Sequence, residues 1–175
     1  MRVIGGEFRR RVLKSVPGLD TRPTPDRLRE SLFNVLAPRI EGTTFLDLYA
    51  GTGAVGIEAL SRGAARVIFI EKNRAALQAI RENLRTLGIA ARADVRQGSP
   101  AQLVGLFDAD IVFLDPPYAL ESEYKATLGA LGDKPAPLVI AQHPPRLKLE
   151  ERYGALLRAR ALRQGDNVLS FYAPA

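Results

Sequence analysis

Phe45-Leu46-Asp47-Leu48-Tyr49-Ala50-Gly51-Thr52-Gly53-Ala54-Val55-Gly56 is the stretch whose reading decides the fold. An apolar run ends, three glycines follow, and a helical pattern begins at once. Glycine permits tight turns and close approach of the backbone to a ligand. A helix that starts there presents free N–H groups. Strand, glycine loop and helix in this order read as the first βα unit of a nucleotide-binding α/β sheet. The spacing also fits G-x-G-x-x-G, with Glu71 twenty positions beyond Gly51, which is the dinucleotide fingerprint. Asp47 argues against that ligand. A carboxylate just before the glycines repels a pyrophosphate and favours a ligand carrying positive charge.

Outward from this turn, the chain alternates. On the C-terminal side, Ala54 to Arg62 is expected as a helix and Arg66 to Glu71 as a second strand. A helix from Asn73 to Leu87 follows, closed by Gly88. Ala91 to Arg96, Ala109 to Leu114 and Leu138 to Ala141 read as further strands, separated by helices over Pro100 to Leu106 and Glu121 to Leu131. Ala155 to Leu162 and Val168 to Tyr172 flank a Gly-Asp-Asn turn and read as a closing hairpin. On the N-terminal side, Thr24 is placed to cap a helix whose first residue is Pro25 and whose apolar face is Leu28, Leu32, Phe33 and Leu36. Two short strands around Gly5-Gly6 suggest a basic N-terminal β-hairpin, which alone is marginal in water. Alternation predicts an α/β fold with a mostly parallel sheet, helices on both faces and an antiparallel C-terminal hairpin.

With 175 residues and 46% apolar content, one domain with a real core is expected. Residues 1–20 are read as a basic hairpin extension and 21–175 as the main domain. No stretch approaches a membrane span, and Met1 to Gly6 lack the apolar region of a signal peptide. With no cysteine and one histidine, thiolate or histidine metal sites are not expected. The expectation is a cytoplasmic, metal-free monomer. Net charge is +6. Residues 1–40 hold nine Lys/Arg against four acids, so +5 of it lies there and +1 in the rest. A basic end on a near-neutral body suggests a polyanion partner, against the plainer reading of a solvated surface.

In an open α/β sheet the ligand sits at the carboxyl ends of the strands. Asp47, Glu71 and Asp115 all fall at such ends. Asp47 can balance the sulfonium and ammonium of S-adenosylmethionine, and Glu71 can accept from ribose hydroxyls. One such acid alone is more often solvated or capping; three at successive strand ends point to a shared site. Asp115-Pro116-Pro117-Tyr118 discriminates further. The prolines fix the backbone, so the Asp115 carboxylate and the Pro116 carbonyl form adjacent acceptors. The two N–H groups of an exocyclic base amine fit between them, and Tyr118 offers a face for stacking. A rigid surface turn is the plainer alternative.

The glycine loop with Asp-Pro-Pro-Tyr resembles class I S-adenosylmethionine methyltransferases that modify exocyclic amines. Arg2-Val3-Ile4-Gly5-Gly6, then Thr21-Arg22-Pro23-Thr24 with Arg27, Arg29, Glu30, Phe33 and Asn34, then Leu48 to Gly53 and Glu58-Ala59-Leu60-Ser61-Arg62-Gly63-Ala64, resemble the RsmD family over nearly the whole chain. That resemblance implies the seven-stranded Rossmann-like sheet and S-adenosylmethionine as donor. It also implies methylation of N2 of a guanine in 16S ribosomal RNA, with the small ribosomal subunit as partner. On this reading Asp115, Pro116 and Tyr118 are catalytic. Asp47, Tyr49, Gly51, Gly53, Glu71, Ser99 and Asp115 hold the cofactor. Arg2, Arg9, Arg10, Arg11, Arg22 and Tyr118 meet RNA. Two departures stand out. Ser99 replaces the acid expected at the adenine, and Gln142 stands where an acid is expected before His143, itself read as structural. The alternatives are a DNA amine methyltransferase, an NAD-dependent dehydrogenase and a non-catalytic RNA-binding module.

Overall fold

The computed structural model describes residues 1–18 and 24–175. Five parallel strands form its centre: β1 (Thr44–Leu48), β2 (Arg66–Glu71), β3 (Ala93–Gln97), β4 (Ile111–Leu114) and β5 (Leu138–His143). Antiparallel strands β6 (Arg152–Tyr153), β7 (Leu156–Gln164) and β8 (Asn167–Pro174) complete one sheet, in the order β3-β2-β1-β4-β5-β8-β7-β6. The helices are α1 (Asp26–Leu36), α2 (Ala54–Ser61), α3 (Arg74–Thr86), α4 (Pro100–Leu103) and α5 (Glu121–Asp133).

The central strands are apolar on both faces because both are covered. Phe45, Val67, Phe69, Ile111, Phe113 and Ile140 pack with α1, α2 and α3. Leu46, Leu48, Ile68, Ile70, Val112, Leu114 and Val139 pack with α5 on the other side. The order reverses between β1 and β4, since β2 lies on one side of β1 and β4 on the other. Ligands gather at such a switch point, and β1 and β4 end there in Asp47-Leu48 and Leu114-Asp115.

Four expectations change. The sheet has eight strands, not seven: β6 is a two-residue strand folded back on β7 through Gly154 (φ 56°). The N-terminal hairpin is a single bridge, Arg2 to Val12. Its turn packs on α2, as a hairpin too small to stand alone must, and Val3, Phe8 and Leu13 are buried in the α1–α3 side of the core. Pro25, not Thr24, occupies the cap position of α1, with no side-chain cap. Thr24 turns inward, where its hydroxyl donates to Gln142 Oε1 at 3.4 Å. The third strand starts at Ala93 because residues 90–92 form a tight helical turn. Asn73 caps α3, its side chain accepting from Ala76 N at 3.0 Å.

Candidate active site

At the carboxyl end of the sheet lies a cavity of about 620 Å³, a size that suits a cofactor-sized ligand. Asp47, Tyr49, Gly51, Glu71, Asp115, Pro116 and Tyr118 all line it. So do Met1, Ser15 and Val16 of the N-terminal segment, Lys72, Pro100, Glu123 and Gln142. Most of the residues expected at the cofactor and the base therefore converge, while the expected RNA-contacting arginines lie outside the lining.

The glycine loop is built from left-handed backbone. Tyr49, Gly51 and Gly53 have φ of 60°, 58° and 87°. At Gly51 a side chain would meet open space, so the backbone conformation is what asks for glycine. Gly56 has a different reason, since a Cβ there would lie 2.3 Å from the Phe69 ring. It lets α2 close onto β2. Gly53, expected at the cofactor, faces Ile80 and Phe69 and does not line the cavity; it serves the turn into α2. Ser99 is likewise not part of the lining. The chain turns at Gly98 after β3, and Pro100 is the residue that reaches the cavity.

Asp47 is 1% exposed, and its Oδ2 accepts from Gly56 N at 2.9 Å. Burial holds its carboxyl well above the ordinary range, and the charges of Asp115 and Glu71 add to that. Glu71 binds the loop around it. Its Oε2 accepts from Gly51 N at 2.7 Å, and Oε1 accepts from Lys72 N and Asn73 N at 2.9 and 3.0 Å. Tyr49 donates to Glu123 Oε2 at 2.8 Å and lies 2.6 Å from Thr127 Oγ1. Lys72 pairs with Glu123 at 3.8 Å, so the cavity's one lining Lys among the described residues faces four lining acids, Asp47, Glu71, Asp115 and Glu123.

Asp115-Pro116-Pro117-Tyr118 is fixed from behind. Tyr124, buried on α5, donates toward Gln142 O at 2.7 Å and Pro116 O at 3.3 Å. Tyr118 donates to Asn167 Oδ1 at 2.6 Å, and Gln142 Nε2 donates to the Tyr118 hydroxyl at 3.3 Å. Gln142, neutral where an acid was expected, can thus donate to Tyr118 while accepting from Thr24. His143 lies outside the lining. Its ring nitrogens meet Pro144 O and Ser170 Oγ at 3.0 and 2.8 Å, and burial lowers its pKa. Both ring nitrogens thus have partners away from the cavity.

The basic residues divide. Arg9, Arg10 and Arg11 are exposed, and Arg2 pairs loosely with Asp26 at 3.8 Å. Arg22 lies outside the described residues. Sequence reasoning missed what mounts the segment. Glu58, fully buried on α2, accepts from Ile4 N and Gly5 N, each at 2.9 Å, and from Arg62 Nε at 2.8 Å. Arg29, also fully buried, donates to Arg2 O at 2.8 Å and lies 3.9 Å from Glu58. Ser61 Oγ donates to Gly5 O and accepts from Phe8 N. The signal available was a glutamate inside the otherwise apolar run of α2. Tyr124 and Asn167 gave no sequence signal.

The mostly parallel sheet, its switch point, the left-handed glycine turn and the buried carboxyl at the first strand's end make up the class I methyltransferase fold, which the similar proteins share. Within that class, the model of the family described as "Conserved hypothetical protein 95" matches residues 1–173, and the chain belongs to that family, the RsmD family. The Bacillus subtilis protein "Putative rRNA methyltransferase YlbH" is 36% identical over 98% of each chain. "Ribosomal RNA small subunit methyltransferase D" of Escherichia coli K12 is 44% identical over 67% of this chain and 60% of its own length. The solved structure of yhhF from Escherichia coli superposes with a TM-score of 0.87 at 32% identity, covering 99% of this chain and 97% of that one.

Proposed function

We propose that the protein methylates the exocyclic N2 amine of a guanine in 16S ribosomal RNA, within the small ribosomal subunit, using S-adenosylmethionine. The observation that carries this reading is one cavity joining the Asp47–Glu71 end to Asp115-Pro116-Pro117-Tyr118. The names of the similar proteins support the ribosomal RNA substrate.

The residues present fit the cofactor. The lining is acidic, and Asp47 is a desolvated carboxylate that a cationic ligand would relieve. A pyrophosphate would worsen its situation, which disfavours the dinucleotide reading. Glu71 has three backbone donors already and keeps room to accept from a ribose hydroxyl. When bound, the cofactor supplies an electrophilic methyl on a positively charged sulfur.

The chain's own residues do the rest. A guanine must leave its stack to reach the cavity. Tyr118, oriented by Asn167 and Gln142, receives the base face. Asp115 and the Pro116 carbonyl accept from the two amine hydrogens and aim the nitrogen lone pair. Positive charge developing on the amine nitrogen as it takes up the methyl would lie beside Asp115, and the nitrogen's excess proton would pass to solvent water. Rate comes from positioning and local electrostatics.

Calorimetry and nucleoside analysis test this reading together. The expected result is binding of S-adenosylmethionine without added metal, no tight NAD binding, and N2-methylguanosine in small subunits that lacked it. Tight NAD binding, or a methylated base other than guanine, would overturn it.

A further inference from the structure

The RNA reading leaves a second cluster of cations without a role. Residues 146–163 carry six Lys/Arg against two acids, a net of +4. Among the described residues only Arg158 of these six pairs with an acid, Glu151. Four of the six stand at the open end of the sheet, Arg152 on β6 and Arg158, Arg160 and Arg163 on β7. β6 covers β7 only at Leu156 and Leu157, with one more backbone bond from Arg158 N to Glu151 O. Beyond that point the outer side of β7 has no strand beside it among the described residues. Two exposed arginines stand on this stretch, and both are pre-ordered. Arg160 lies over the Phe171 ring, 5.8 Å from its centroid. Arg163, on the other face of the strand, donates from Nε to Gly165 O at 3.2 Å, so the edge carries a cation on each face.

The strand is tied to the base pocket at its far end. The β7–β8 turn places Asn167 on the Tyr118 hydroxyl, and Gln164 accepts from Ser31 of α1. The N-terminal segment docks on α2 and α3, on the β1–β2 side of the cavity. The β7 edge lies past β5 and β8, on the other side.

We propose that the outer edge of β7, through Arg160 and Arg163, is a second RNA-backbone surface that flanks the base pocket opposite the N-terminal segment. The proposal rests on the RNA substrate reading. A single strand with its target base splayed into the cavity has phosphates leaving in both directions, and each needs a cationic wall. Open strand edges also invite pairing with another chain, but bulky charged side chains along an edge oppose that, so a phosphodiester backbone fits better than a second copy.

The test measures binding of an unmodified, fluorescein-labelled 16S ribosomal RNA transcript from low to moderate KCl. It compares wild type, Arg160→Gln/Arg163→Gln, Arg9→Gln/Arg10→Gln/Arg11→Gln, and Arg81→Gln on α3 as a surface control. Two lost single-strand phosphate contacts should make the slope of log affinity on log salt shallower by about 1.4. S-adenosylmethionine affinity should stay at the wild-type value, which shows that the fold and cofactor site are intact. A wild-type slope in the β7 variant, with a reduced slope in the N-terminal variant, would overturn the edge surface and leave the RNA reading standing. A wild-type protein that binds neither the transcript nor unmodified small subunits would overturn both. A dimer in sedimentation that the β7 variant dissociates would assign the edge to self-association instead.

Discussion

Asp47 is a buried carboxyl, and on the proposed reading its charge serves a cationic ligand at the expense of the fold. Its raised pKa has a definite sign. The folded protein holds the proton more tightly than the unfolded chain. The group therefore weakens the fold progressively as pH rises above the ordinary carboxylate range, and most fully once pH passes its raised pKa. Asp47→Asn keeps an oxygen for Gly56 N and removes the charge. The variant should gain about 0.5–2 kcal/mol of stability at neutral pH in the free state, read by denaturant melts. It should also bind S-adenosylmethionine more weakly. In the wild type, cofactor affinity should fall with pH as Asp47 takes up its proton, because a cationic ligand favours the ionised form. Calorimetry in buffers of different ionisation enthalpy should then record proton release on binding. A variant less stable than wild type, or binding with no proton release at any pH below neutral, would contradict this role. Glu71 behaves differently, because it serves the loop and the ligand together. Glu71→Ala should lose about 1.5–3 kcal/mol of cofactor binding, with Glu71→Gln losing less; unchanged affinity in the alanine variant would remove Glu71 from the site. Asp47, Glu71 and Asp115 stood out in the sequence, since Glu71 and Asp115 end apolar runs and Asp47 interrupts one just before the glycines. Tyr124 and Asn167 were not, because their partners, Pro116 and Tyr118, are chosen by packing between distant elements.

At the scale of elements, the N-terminal segment departs furthest from expectation. Its arginine-rich turn was legible as a basic patch. Its mounting was not, since that depends on α2 presenting Glu58 and Ser61 to the backbone of Ile4 to Phe8. The Arg2-Val3-Ile4-Gly5-Gly6 motif and the Glu58-Ala59-Leu60-Ser61-Arg62 motif are the two halves of this joint. Gly6 shows how closely they meet. It sits at φ 77°, and a Cβ there would lie 1.9 Å from Ser61 O. Glu58→Gln preserves shape but leaves the Arg29 and Arg62 charges without their shared carboxylate. Breaking such a buried pair costs about 3–5 kcal/mol, so the variant should melt at markedly lower denaturant. A near-wild-type midpoint would show that backbone bonds alone hold the segment. The short β6 strand was illegible for another reason: two residues, one of them charged, leave no periodic pattern. The long apolar strands were legible because both faces of a central parallel strand are buried, and the helices because their apolar faces recur at helical spacing.

At the scale of the whole molecule, topology brings the function together. The order reversal between β1 and β4 sets Asp47 and Glu71 in one cavity with Asp115-Pro116-Pro117-Tyr118. The N-terminal segment closes one side of the same cavity, and the C-terminal hairpin braces Tyr118 from the other. The central claim is that Asp115 orients the target amine and steadies its developing charge. The most direct measurement is tritiated methyl transfer to unmodified small subunits by Asp115→Asn, beside its calorimetric S-adenosylmethionine affinity. Loss of one preorganised group of this kind costs on the order of 3–4 kcal/mol, a few hundredfold in rate. The account predicts that loss with cofactor affinity nearly unchanged. Near-normal turnover would contradict it, and loss of cofactor binding would move Asp115 to the cofactor side of the cavity.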